Sequence, residues 1–175
     1  VMERERTLGP SHPKTLTSVN DLASSLMERG DYVGAEPLFR RALDERERVM
    51  GPDHFDTIMS LNDLALLLME KGELDSAEPL FRRALKHADQ AFGADQTHTL
   101  TSVGNLGALL LRKRDYEAAE PLFRRTLESS EQVYGADDPG TLECVKDLGL
   151  ALLGNGDFEG SERLFRRELE GQERI

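Results

Sequence analysis

Phe39-Arg40-Arg41 recurs as Phe81-Arg82-Arg83, Phe123-Arg124-Arg125 and Phe165-Arg166-Arg167, always at the same spacing along the chain. The same 42-residue period separates four glycines and four threonines, which are Gly9, Gly51, Gly93 and Gly135, and Thr15, Thr57, Thr99 and Thr141. The chain therefore contains four copies of one supersecondary unit, with no insertion between them. Because a unit that cannot bury its apolar face alone must stack on its neighbours, the period predicts a solenoid.

Each repeat is predicted to be a pair of helices. A first helix over residues 14–29 follows from an apolar stripe with helical spacing, formed by Leu16, Val19, Leu22, Ala23 and Leu26. Gly30-Asp31 signals a turn, and a second apolar stripe predicts a second helix over residues 32–49. Gly51 ends that helix, and we expect it in the left-handed conformation that glycine tolerates.

The repeated residues also predict how the helices pack. Small residues recur at two positions, which allows a close antiparallel pair; they are Ala23, Ala65, Gly107 and Gly149, and Ala35, Ala77, Ala119 and Ser161. We expect the four phenylalanines to anchor the core. The glycines of the last repeat are expected to weaken its helices; they are Gly154, Gly156 and Gly171.

The pattern divides the chain into four repeats in a single array. Their bounds are at about 9–50, 51–92, 93–134 and 135–175, and residues 2–9 resemble residues 44–51, the end of a second helix. We therefore expect residues 1–8 to be the partial second helix of a preceding repeat, and the array to end near residue 175. Exposed apolar residues at both ends favour end-to-end self-association.

Composition restricts the class of partner and the compartment. The net charge of −11 argues against nucleic acid, because phosphate binding needs a clustered basic surface, and it favours basic partners. Cys144 is the one cysteine, so no internal disulfide can form. This fits a reducing compartment, and we expect a cytoplasmic protein. No apolar run approaches the length of a membrane span, so no membrane association is expected.

No residue pattern indicates catalysis, a metal or a cofactor. Each arginine pair has a glutamate four residues before its first arginine, which predicts a solvated row of ion pairs; the pairs are Glu36–Arg40, Glu78–Arg82, Glu120–Arg124 and Glu162–Arg166. His12 and His54 occupy equivalent loop positions, where they are expected to pack or to cap a helix. Metal sites need three or four converging ligands, which this sequence does not indicate.

The motifs resemble the tetratricopeptide repeat (TPR) in its 42-residue kinesin light chain form. The resemblance covers the whole chain and rests on the stretches Gly30-Asp31-Tyr32, Ala35-Glu36-Pro37-Leu38-Phe39-Arg40-Arg41-Ala42-Leu43 and Gly51-Pro52-Asp53-His54. It implies an all-α, right-handed solenoid of antiparallel helix pairs whose first helices line a concave groove. It also implies a non-catalytic module that binds a protein or an extended peptide.

In kinesin light chains, paired asparagines of the first helix meet the peptide backbone. The matching positions here are Asn20-Asp21, Asn62-Asp63, Gly104-Asn105 and Lys146-Asp147. The aspartates predict a basic partner. The residues expected to bind a partner on the concave face are Thr17, Asn20, Asp21, Ser24, Glu28, Met59, Asn62, Asp63, Leu66, Glu70, Thr101, Asn105, Ala108, Arg112, Lys146 and Asp147.

The sequence alone leaves two other interpretations open. The chain could be a regulatory or oligomerising arm of a larger switch protein, for example one with an NB-ARC-type nucleotide-binding domain, and act through its ends or its convex face. The concave face could also be merely solvated. A peptide titration separates the first alternative from groove binding, because only groove binding predicts that the isolated array captures a peptide.

Overall fold

The computed structural model describes residues 2–94 and 96–174, and these form helices joined by short loops, with no strand. They divide into two compact units, Val1–Ala94 and Asp95–Ile175. The first unit contains α1 (Met2–Leu8), α2 (Pro13–Glu28), α3 (Tyr32–Met50), α4 (Phe55–Glu70) and α5 (Leu74–Phe92). The second unit contains α6 (Thr97–Arg112), α7 (Tyr116–Tyr134), α8 (Pro139–Gly154) and α9 (Phe158–Arg174).

The predicted all-α fold is confirmed, and the predicted helix bounds of the first repeat lie within one residue of the observed ones. Side chains satisfy the first amides of several helices, as expected at helix starts. His12 caps α2 and His54 caps α4, in each case by accepting a hydrogen bond from the amide two residues later. Asp31 caps α3 by accepting from the amide of Gly34 at 2.9 Å. His12 and His54 are therefore capping residues.

Gly51 ends α3 with positive φ, but its conformation differs from the predicted one. Its φ is 88° and its ψ is 167°, whereas a left-handed helical residue has ψ of about +47°. Gly93 and Gly135 end α5 and α7 with the same geometry. This extended region at positive φ is accessible only to glycine, so the recurrence of glycine at these positions has a steric cause. The chain leaves each second helix in an extended direction.

The turn between the two helices of a pair needs a residue with positive φ. Gly30, Gly72 and Gly156 supply it with φ between 78° and 83°. In the third repeat the position is held by Arg114 with φ 61°, the one residue other than glycine with positive φ in the described part of the chain. A side chain in this conformation is unfavourable because its Cβ approaches the following carbonyl oxygen.

Arg114→Gly should therefore raise the free energy of unfolding by about 1 kcal/mol. Chemical denaturation with circular dichroism measures the change. Arg29→Gly is the matched control, because Arg29 has φ −83° in the equivalent turn of the first repeat and should gain nothing from glycine. Equal effects of the two substitutions would show that backbone strain at Arg114 is not the cause.

The core of each helix pair forms where an aromatic ring of the second helix meets a small residue of the first. Phe39, Phe81 and Phe123 are at most 2% exposed, which confirms three of the four predicted anchors. A Cβ placed on Gly107 would lie 2.8 Å from the ring of Phe123, so the close approach requires glycine there. Phe165 is only partly buried, although its ring lies equally close to Gly149.

One predicted core position is wrong in the first repeat. Leu22 is 42% exposed, whereas its equivalents Leu64, Leu106 and Leu148 are at most 3% exposed. The reason is that only the short helix α1 packs against α2 on the N-terminal side in the first unit. Apolar side chains of α9, the last helix, are exposed as well. Phe158 is 70% exposed and Leu169 is 58% exposed.

The charges on the outer side of the second helices are paired within each helix. All four predicted glutamate–arginine pairs form, with nitrogen–oxygen distances of 2.5–2.8 Å. The four arginine side chains are more than half exposed. Because their charges are internally matched and solvated, these rows carry little attraction for an ionic partner.

Candidate functional site

The predicted binding residues lie on the first helix of each pair and divide between the two units. We define the first-unit surface as Thr17, Asp21, Ser24 and Glu28 of α2 with Met59, Leu66 and Glu70 of α4. The second-unit surface consists of Thr101, Asn105, Ala108 and Arg112 of α6 with Lys146 and Asp147 of α8. All of these side chains are partly or fully exposed.

Asn20 and Asp63 join the two first helices of the first unit. The amide Nδ2 of Asn20 on α2 donates to Oδ2 of Asp63 on α4 at 2.8 Å. Both side chains are half-buried. One N–H of the Asn20 amide is therefore engaged within the protein, and an incoming peptide would have to compete with Asp63 for it.

Asn62 does not lie on the surface as predicted. It is 1% exposed, and its Nδ2 donates to the carbonyl of Ile58 one turn earlier in its own helix at 3.2 Å. A side chain buried in this way cannot read a peptide backbone. The predicted row of asparagines is therefore interrupted at its second position, and Asn62 is a structural residue of α4.

Arg46 of α3 is a residue of this site that sequence reasoning missed. It is 4% exposed, although a charged residue is rarely buried so completely. Its guanidinium donates to the carbonyl of Asp56 at 3.1 Å and to Oγ of Ser60 at 2.7 Å, and it reaches Oγ1 of Thr17 at 3.5 Å. The only signal in the sequence was that Arg4 holds the equivalent position at the end of the preceding second helix.

Arg46 also changes the electrostatics that the aspartates alone predicted. Burial lowers the pKa of Arg46, while the carboxylates of Asp56, Asp63 and Asp21 oppose that shift by favouring the charged form. Burial likewise raises the pKa of Asp63, against the effect of the Asn20 hydrogen bond and of Arg46. Arg46 thus offsets part of the charge of the half-buried Asp63, whereas Asp21 is exposed to solvent.

A cleft of about 370 Å³ brings together three predicted residues at the opposite end of the first helices in the first unit. Ser24 and Glu28 of α2 and Glu70 of α4 line it, with Met27 and Tyr32 as further lining residues that sequence reasoning did not select. A methionine and a tyrosine beside two carboxylates combine apolar contact area with negative charge. This combination suits the long apolar stem and charged end of a basic side chain.

The second unit contains a cleft of about 240 Å³ bounded by α6, α7 and α8. Thr101 and Asp147 of the second-unit surface line it, together with Gly104, Ser130, Cys144 and Tyr134. Burial raises the pKa of Asp147, and the nearby carboxylates of Glu143 and Glu168 act in the same direction against Lys146. Asn105, Ala108 and Arg112 do not line this cleft.

Three carboxylates of the first helices, those of Asp21, Glu28 and Asp147, make no hydrogen bond or salt bridge within residues 2–94 and 96–174. Two others are paired, because Asp63 accepts from Asn20 and Glu143 lies 3.9 Å from Lys146. Within these ranges, no cluster of three or more histidine, cysteine, aspartate or glutamate side chains could hold a metal ion. In the same ranges, no helix has the length and apolar character needed to cross a bilayer.

Comparison with known families and structures identifies the repeat. The family model of the tetratricopeptide repeat matches residues 15–90, 56–132 and 96–174, which together span nearly the whole chain. No curated protein sequence matches the chain.

Several solved structures have the same fold. Kinesin light chain-type, nearly identical TPR-like repeats of Podosopora anserina are 19% identical with a TM-score of 0.84, over 98% of this chain and 81% of that one. BtubC (BKLC) of P. vanneervenii is 22% identical with a TM-score of 0.83, over 99% and 70% of the two chains. MamA of Desulfovibrio magneticus RS-1 is 19% identical with a TM-score of 0.66, over 89% and 75%. At these identities the similarity concerns the fold alone.

Proposed function

Because the chain belongs to the tetratricopeptide repeat family, whose members bind protein partners, we propose that it is a non-catalytic module that binds an extended, basic polypeptide segment along its first helices. The observation that carries this proposal is the acidic character of the first-unit surface. Asp21, Glu28 and Glu70 are exposed on that surface, which contains no basic residue, and Glu28 and Glu70 line a cleft together with Met27 and Tyr32.

Electrostatics favour a basic segment over an acidic one. The whole chain has a net charge of −11, so a basic partner is attracted at long range and an acidic partner is repelled. The side chains that interrupt the negative first-helix surface are Arg112 and Lys146, both in the second unit. We therefore expect the basic residues of the segment to contact the first-unit surface, and the Asp147 region of the second.

Asp21→Lys should weaken a bound basic peptide roughly fivefold, because it replaces an attractive exposed charge by a repulsive one. The measurement is a random peptide display screen on the wild-type chain, followed by titration of the enriched peptides with the variants. Binding should also weaken as the salt concentration rises, since exposed charges are screened.

Asp44→Lys is the matched control, because Asp44 is an exposed aspartate of the second helix α3 and the substitution changes the net charge equally. It should leave affinity within about twofold, as long-range attraction alone is weak at physiological salt. Enrichment of acidic peptides, or equal effects of the two substitutions, would contradict the proposed charge preference. Failure to enrich any peptide would contradict the proposed module itself.

Self-association end to end and a role as a regulatory arm of a larger switch protein stay predictions of the sequence. The exposed side chains of Phe158 and Leu169 at the last helix are compatible with either one. Neither role accounts for the exposed carboxylates of Asp21, Glu28 and Glu70 on the first-unit surface.

A further inference from the structure

In the first unit, a guanidinium of the chain itself binds between the first helices α2 and α4. Arg46 extends from α3 into the space between α2 and α4, where it contacts a backbone carbonyl, a serine hydroxyl and the side chain of Thr17. Arg4 of α1 makes the corresponding contacts one repeat earlier, with the carbonyl of Lys14 and Oγ of Ser18. A guanidinium therefore holds this position in two successive repeats, at Arg4 and Arg46.

The second unit keeps the site and lacks the arginine. Two repeats further along the chain, Ser130 holds the position of Arg46 and Gly104 holds that of Asn20. Thr17 and Asp63 correspond to the identical residues Thr101 and Asp147. Ser60 becomes Cys144, whose Sγ lies 3.7 Å from Oγ of Ser130. All five of these positions line the 240 Å³ cleft; they are Thr101, Gly104, Ser130, Cys144 and Asp147. The cleft is thus at the position that the Arg46 side chain fills in the first unit.

The size and accessibility of the cleft suit a side chain from outside. A single water molecule has a volume of about 30 Å³, so about 240 Å³ accommodates a long side chain or several waters. A Cβ added to Gly104 would meet no heavy atom within 4 Å, so there is open space next to it. Val133 and Tyr134 line the cleft and are 63% and 57% exposed, which leaves an entrance from solvent and apolar surface for methylene groups.

The charge of the cleft is complementary to a cation. Asp147 is half-buried and has no hydrogen bond or salt bridge among the described residues. A carboxylate held in this way is costly until a positive charge pairs with it. In the first unit Arg46 supplies such a charge near the equivalent Asp63 from within the chain.

We propose that the cleft of the second unit binds an arginine side chain of the partner polypeptide, with the guanidinium in the position that Arg46 occupies in the first unit. This inference rests on the proposed function and names one residue of the bound segment. Arginine fits better than lysine because its planar fork donates several hydrogen bonds at once, as Arg46 does to a carbonyl and a hydroxyl.

The experiment uses N-acetyl-L-arginine amide as the probe and backbone amide NMR of the full chain as the readout. We expect saturable shifts at Gly104, Ser130 and Cys144. N-acetyl-L-citrulline amide, which has the same shape without the charge, should bind at least about tenfold more weakly, because the charge-assisted hydrogen bonds are lost. N-acetyl-L-lysine amide should bind more weakly than the arginine probe.

Three variants test the assignment. Asp147→Asn should weaken the arginine probe about tenfold. The matched control Glu117→Gln removes one carboxylate charge at an exposed site of α7 that does not line the cleft, and it should leave the affinity unchanged within about twofold. Ser130→Arg should abolish binding, because the new side chain occupies the cleft as Arg46 does. If Ser130→Arg fails to fold, Asp147→Asn decides the question, since it changes no bulk.

Absence of shifts at the cleft, equal binding of the citrulline probe, or equal affinity of Asp147→Asn and the wild type would overturn this inference. These results are separable from a failure of the proposed function. If display enriches basic peptides but the arginine probe leaves the cleft unchanged, the arginine assignment is wrong and the module proposal survives. If no peptide is enriched while the probe still binds at Gly104 and Cys144, the cleft recognises arginine and the extended-segment proposal is wrong.

Discussion

Phe81→Ala should lower the free energy of unfolding by about 3–5 kcal/mol, the cost of removing a fully buried aromatic side chain. Phe81 is 0% exposed and lies in the second helix of the second repeat. The missing ring leaves a cavity that the surrounding helices can fill only in part. The loss therefore includes the hydrophobic free energy of burying the ring and the cost of the remaining cavity. Urea denaturation followed by circular dichroism measures the loss.

Phe158→Ala is the control for this substitution, since it removes an identical side chain that is 70% exposed. It should change the free energy of unfolding by no more than about 0.5 kcal/mol. A similar small effect at Phe81 would mean that the phenylalanines of the repeat are not the anchors of its core.

Arg46→Ala should cost about 3 kcal/mol, because it removes two charge-assisted hydrogen bonds from a buried side chain and takes away the positive charge beside Asp56 and Asp63. The acceptors are the carbonyl of Asp56 and the hydroxyl of Ser60. The control is Arg48→Ala two residues later, where the exposed arginine pairs with Glu45 in the same helix. The loss there should be only about 0.5 kcal/mol, as for other exposed ion pairs. Thermal or urea unfolding at pH 7 compares the two.

The Arg46→Ala effect should also depend on pH. Burial holds the pKa of Asp63 above its ordinary value of 3.8, so the native state binds more protons than the unfolded state above that pH. Stability contributed by protonated Asp63 is present below pH 3.8 and is lost as pH rises through the native pKa. Without Arg46 the native pKa rises further, so the variant should be more strongly destabilised at pH 7 than near pH 3. A loss independent of pH would mean that Arg46 acts through packing alone.

The fold could be predicted because its causes are local and repeated. The spacing of leucines, the turn glycines and the 42-residue period together determined helix type, bounds and order. The glycines of the last repeat illustrate what one sequence does not reveal. Gly154 and Gly171, expected to weaken helices, lie where an added Cβ would overlap the ring of Tyr116 and the side chain of Leu142. Their small size permits close packing, which depends on neighbours distant in sequence.

The candidate site was predicted in outline and missed in its central contacts. Helical periodicity selected the exposed side of the first helices, where Thr17 and Asp21 are exposed and Asp147 is half-buried. Periodicity within a helix could not reveal that Asn62 is buried, nor that Arg46 reaches from the neighbouring helix to partly neutralise the aspartates. The second unit has Ser130 in place of this arginine. That the substitution leaves an open cleft is visible only when the two positions are compared in the structure.

Mapping a bound peptide on the chain tests the proposed binding mode most directly. The peptide most enriched by display would be titrated into the isotope-labelled full chain, and the perturbed backbone amides assigned. We expect the perturbed residues to cluster on the first helices α2, α4, α6 and α8, around Asp21 and the cleft at Gly104. Perturbation confined to the outer rows of the second helices, such as Glu36–Arg40, or to the exposed end at Phe158 and Leu169, would contradict binding along the first helices.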